Sequence, residues 1–139
     1  TIIEHVPEEE FSSVGPKIFG YISRICGLLP CPECQTHAKK YLNRQKIDTT
    51  NKRTTREFMH NFHNVVNKHK NLPEQPITIL DRYNDMSLSD VYNNFIKVFS
   101  PRGNIRMIAD NMHRSMLLND FTNWLLAHKH IFYRPVKTA

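Results

Sequence analysis

Residues 55–73 read TREFMHNFHNVVNKHKNLP. Phe58, Phe62, Val65 and Val66 recur at spacings of three and four, the period of one face of an α-helix rather than the alternation of a strand. Thr54 followed by Glu57 is a capping-box signature that predicts the start of this helix, which runs to about Lys70 before Asn71 and Pro73 end it. His63 and Asn67 lie four apart and share a face, so both can address one planar ligand. Phe58 and Phe62 have the same spacing and could pack around it.

The segments on either side read the same way. Upstream, Phe11, Val14, Ile18, Ile22, Ile25, Cys26 and Leu29 form a helical stripe, and a start near Gly15 would leave Pro16 in a tolerant first turn. Residues 43–53 are polar, lack periodicity and read as a loop. Downstream, Ser87 with Asp90 caps a segment whose Leu88, Val91, Tyr92, Phe95, Ile96 and Phe99 make an apolar stripe up to the SPRG break at residues 100–103. Ile105, Ile108, Met112 and Met116 suggest a further helix, and Phe121, Trp124, Leu125 and Leu126 another. The expected class is all-α, a helical bundle with short connections.

The chemistry concentrates at residues 28–37, LLPCPECQTH. Pro32 suits the first turn of a helix, which places Cys31 at the helix N-terminus and Cys34 one turn in, with Ala38, Tyr41 and Leu42 continuing the buried face. Unpaired N–H groups and the positive end of the helix dipole stabilise a thiolate at such a position. Cys31 and Cys34 are therefore the candidate catalytic pair. Thioredoxin-like folds use the same CxxC spacing but need a strand before it, and here a helix precedes it. Zinc is the competing use, with His60 and His63 completing a Cys2His2 set. The two gaps are 25 and two residues, against about 12 to 15 and three to five in finger-type sites. No metal site is therefore expected. Cys26 lies on an apolar stripe and reads as a core thiol.

Composition sets the outer limits. At 139 residues and 40% hydrophobic, the chain can bury one core without staples. Three cysteines exclude a multi-disulfide scaffold, and nothing approaches the roughly 20 apolar residues of a membrane span. The formal charge of +6 is dispersed rather than gathered into a stripe, so nucleic acid is not an expected partner. Residues 100–139 carry Met107, Met112, Met116, Leu117, Leu118, Trp124 and Phe132 and are too apolar for a disordered tail.

Together, a CxxC after Leu-Pro and HNxVN some 30 residues later, here His63, Asn64, Val65, Val66 and Asn67, resemble the Erv/ALR family of FAD-linked sulfhydryl oxidases. TIIEHVP at residues 1–7 is similar to the stretch that follows the family's first-helix Trp and His, and MSLSDVYNNF at 86–95 to the start of its fifth helix. The resemblance covers residues 1–99, leaving 100–139 as a helical extension that could add a layer, a dimer contact or a docking surface for a larger, virion assembly. It implies a four-helix bundle holding FAD under a capping fifth helix, usually as a homodimer. A protein dithiol would attack the disulfide at Cys31, Cys34 would face the flavin, and electrons would pass to oxygen with release of hydrogen peroxide. Under this resemblance Phe58, Phe62, His63, Asn64, Val66 and Asn67 are the expected cofactor contacts. Lys68 and Lys70, with Lys39 or Arg44, are candidates for its pyrophosphate. The sequence departs from the family pattern at Phe58, where many members have Trp, and at Leu72, where a basic residue often follows. The pared-down core is most similar to members from large cytoplasmic DNA viruses, which implies the infected-cell cytoplasm or the virion; other members imply the mitochondrial intermembrane space or the endoplasmic reticulum. A zinc or nucleic-acid module, or a structural protein retaining an oxidase core, are the alternatives.

Overall fold

A computed structural model describes residues 1–44, 46–100 and 108–132. A 3-10 turn at Ile3–His5 leads through Pro7 into α1, Glu8–Cys26, whose first turn carries three glutamates on the positive end of the helix dipole. The helix begins at Glu8 rather than near Gly15, so Pro16 lies in its interior. The cost of the missing N–H is limited because Pro16 and Ser12, four residues back, are both exposed, so water can serve the freed carbonyl. Upstream of the proline, Phe11, Val14 and Gly15 are buried, and their packing holds the extra turns in place. Gly15 meets the loop before α3 so closely that a Cβ there would lie 2.2 Å from the Thr49 carbonyl oxygen. Only glycine permits that approach.

α2, Pro32–Arg44, and α3, Lys52–His69, pack on α1. The cap of α3 also differs from expectation. Asn51 is the N-cap, its side-chain oxygen accepting the Thr54 N–H at 3.0 Å, and Thr54 is already inside the first turn. An Asn two turns ahead of the first buried aromatic therefore outcompetes the Thr-Glu pair, and Glu57 instead pairs with Arg53 at 3.0 Å. At the far end Asn71 takes a left-handed φ of 57°, and the Leu72 N–H closes onto the Asn67 carbonyl at 2.7 Å.

A second 3-10 turn, Ile77–Ile79, runs into the short α4, Leu80–Asp85, which packs back onto the Ile3–His5 turn. α5, Leu88–Phe99, starts at Ser87 as expected, with the Ser87 hydroxyl accepting the Asp90 N–H. The two C-terminal helices expected around Met112 and Phe121 are one continuous element, α6, Ile108–Ala127, followed by the single turn α7, Lys129–Phe132. Met112 and Met116 point outward, at 61% and 67% exposure, while Arg114, Leu117 and Phe121 are buried. Ile105, Met107 and the SPRG residues Pro101 to Gly103 lie outside the described residues.

All regular elements among the described residues are helical. One apolar cluster joins Ile3, Val6, Phe11, Val14 and Ile18 to Ile131, and the other joins Tyr21 to Phe99, Leu117 and Phe121. α1 contributes to both. The ion pair Arg24–Asp120, at 2.7 Å, ties α1 to α6 on the outside, and Tyr92 hydrogen-bonds Thr122 between α5 and α6.

Candidate active site: a dithiol opening on a large cleft

Cys31 precedes Pro32 and caps α2. Its carbonyl accepts the Gln35 N–H at 3.0 Å and its Sγ accepts the Cys34 N–H at 3.2 Å. The Cys34 thiol, then the backbone N–H groups of Cys34 and Glu33, donate to Cys31 and hold its thiol below the ordinary value. Cys34 moves the other way, because it donates to Cys31, is partly desolvated and feels the Cys31 charge; Lys70 opposes the shift. In the reduced pair Cys31 is thus the first thiol to ionise and Cys34 the second. Burial alone pushes Cys26 up to about 11, which makes it an inert thiol at neutral pH.

All three cysteines line one cleft of about 1150 Å³, walled by α1, α2, α3, α4 and the turn at Ile3–His5. That exceeds the roughly 300–1000 Å³ of typical small-molecule sites and suits a dinucleotide-sized ligand. From α3 and its C-cap Lys70 the cleft receives Phe62, His63, Asn64, Val66, Asn67 and the lysine itself, so most of the expected cofactor face is gathered beside the dithiol. Four expected residues are not. Phe58 is 4% exposed and packs against Phe19 and Tyr41, with ring centroids 5.6 and 5.4 Å away, and Lys68, Lys39 and Arg44 do not line the cleft. Asn64 lines it while bonding the backbone of Gln75 twice, donating to the carbonyl and accepting the N–H, both at 2.9 Å. His60, the candidate zinc ligand, bonds the same Gln75 carbonyl at 2.7 Å. Among the described residues no three His, Cys, Asp or Glu side chains converge as a metal site.

His37 stacks on His69 with centroids 4.6 Å apart, and His69 Nε2 lies 3.6 Å from Glu33, which joins the dithiol end of α2 to the end of α3. The sequence reading missed Arg56, Arg82 and Tyr83 as cleft residues. Arg56 pairs with the buried Glu4 from the N-terminal turn, a long-range contact that no local pattern announces. Arg82 and Tyr83 sit on α4, which two prolines disguise as a break.

A model of the Erv1/Alr family matches residues 2–87, the stretch that contains the dithiol and every residue lining the cleft except Thr1. The chain belongs to the Erv1/Alr family. Over 66 residues it is 41% identical to a protein of Invertebrate iridescent virus 3 named as an FAD-linked sulfhydryl oxidase. That alignment covers 45% of each chain, so this Erv1/Alr chain spans less than half the length of the curated relative it matches. No solved structure matches it. No described helix is long and apolar enough to cross a membrane.

Proposed function

We propose that this Erv1/Alr chain is an FAD-dependent sulfhydryl oxidase that makes disulfides in protein substrates. The observation that carries the reading is the shared cleft: a thiolate-forming CxxC at a helix N-terminus opens on the same space as the His63–Asn67 face of α3. The residues fit the flavin. Phe62 and Val66 offer apolar wall, His63 and Asn67 offer polar groups one turn apart, and Lys70 and Arg82 bring positive charge for a pyrophosphate.

In the oxidised pair a substrate thiolate attacks Cys31 Sγ, breaking the Cys31–Cys34 bond and releasing Cys34 as thiolate. The second substrate thiol gives its proton to the Cys34 thiolate and then attacks the mixed disulfide, freeing Cys31 as thiolate, so that the substrate leaves oxidised and the pair is left reduced by two electrons and holding one proton on Cys34. Cys34 must lose its proton before it can give up those electrons. The Cys31 thiolate, already its hydrogen-bond acceptor, is the nearest base. Bound FAD supplies the two-electron acceptor and the route to oxygen, with hydrogen peroxide as product. Homodimerisation, assembly into a virion and a viral source belong to the same proposal.

The absorbance spectrum of the purified protein tests it. A flavin band bleached by dithiol without air and restored by air is expected, and a colourless protein carrying stoichiometric zinc would overturn it. Cys34→Ser should keep the flavin and lose the bleaching. Sedimentation of the same sample checks the dimer.

A further inference from the structure

We propose that α6 positions the redox pair, acting through Arg114 and Asp110 on the two leucines that deliver Cys31 to the start of α2. This rests on reading Cys31 and Cys34 as the redox pair, but not on flavin.

α1 ends at Cys26, and the carbonyls that follow have no further helical turn to accept from. Arg114, only 3% exposed, donates from Nε to the Leu28 carbonyl at 2.7 Å and from Nη1 to Asn111 Oδ1 at 2.9 Å. The next carbonyl, Leu29, accepts from Gln35 Nε2 at 2.6 Å, and the same nitrogen lies 3.3 Å from Asp110 Oδ2. Both peptide planes ahead of the CxxC are therefore fixed from α6, one directly and one through α2. Pro30 follows with its φ locked and no N–H of its own, so it passes their orientation on to Cys31. A guanidinium at this place also complements the negative end of the α1 dipole, which helps to offset its burial.

The consequence falls on Cys31. Its Sγ accepts the Cys34 N–H only while its backbone stays turned out of the helix, and hydrogen bonds weaken steeply with misalignment. Arg114 and Asp110 touch neither thiol; they are positioning residues. They lie on the segment beyond the family match at residues 2–87, so this chain brings its own support for a motif the family shares.

The test is alkylation of each cysteine in the reduced full-length protein by iodoacetamide, followed by mass spectrometry across pH. Arg114→Met should slow Cys31 at neutral pH by about fivefold and move its pH midpoint upward, because less of it is thiolate. Arg114→Lys, which keeps a donor for Leu28, should recover most of the rate. Cys26 should stay protected in both. Thr122→Val, which removes the tie from the same helix to Tyr92 on α5, should leave Cys31 unchanged. If Arg114→Met does not fold, Asp110→Ala decides in its place, with an expected slowing of about twofold. An unchanged Cys31 profile in the folded variant, or the same shift in Thr122→Val, would overturn the proposal. Because no flavin enters the readout, failure of the oxidase reading would leave this result standing, and normal turnover with an unchanged profile would remove only the positioning role.

Discussion

Three thiols share one cleft and differ in what surrounds each sulfur. Cys26 is the one whose environment reaches into stability. Its folded thiol ionises near 11, raised by burial above the ordinary value near 9 that the unfolded chain keeps. The stabilisation is therefore complete below about pH 9 and is lost as pH rises through 11, amounting to about 2 kcal/mol. Melting followed from pH 8 to 11 should fall less steeply in Cys26→Ala than in the wild type; equal slopes would contradict this assignment. At Gly15 the constraint is space. Gly15→Ala should destabilise by about 1–3 kcal/mol in urea titration, since Thr49 backbone must retreat to admit the methyl. The helix start at Cys31 and the shared helix face of His63 and Asn67 could be read from the sequence because both depend on local spacing. Glu4, Arg56 and Arg114 could not, since each acquires its role from a partner about 50 residues away or more.

At the level of elements, α2, α3 and α5 follow from period and punctuation, and their boundaries show where such reasoning stops. The residue that starts α3 is a competition between neighbouring caps, and Asn51 wins it by reaching the Thr54 N–H. Asn51→Ala should cost about 1 kcal/mol in thermal unfolding, whereas Thr54→Ala should cost little. The reverse order would restore the Thr54 cap. α4 was hidden because its six residues are too few to show a period, and the contact with the N-terminal turn supplies what sequence propensity does not. α6 split in the reading for another reason. Its partners change along its length, so no single apolar stripe runs through it, and Met112 and Met116 imitate a buried face that is in fact turned to solvent.

The molecule as a whole does not divide at the end of the family match. Leu117 and Phe121 complete the cluster around Tyr21 and Phe99, while Ile131 fills the space between Ile3 and Phe11. A chain cut after Phe99 keeps the dithiol and the cleft residues and loses those fillers. It should show reduced helicity and no cooperative melt by circular dichroism; a sharp transition in that fragment would establish residues 1–99 as self-sufficient. The all-α class could be inferred from residues 11–99 alone because helical period is a local signal. The closure of the core could not, since Ile3 and Ile131 stand at opposite ends of the described chain. That pairing also bears on the order of events during synthesis. A ribosome releases α1 and the CxxC long before α7, so the N-terminal turn waits for its packing partner until nearly all of the described chain has emerged. Until then the reactive thiols are made but not yet held, and any unwanted pairing of Cys26 with Cys31 or Cys34 has its opportunity in that interval.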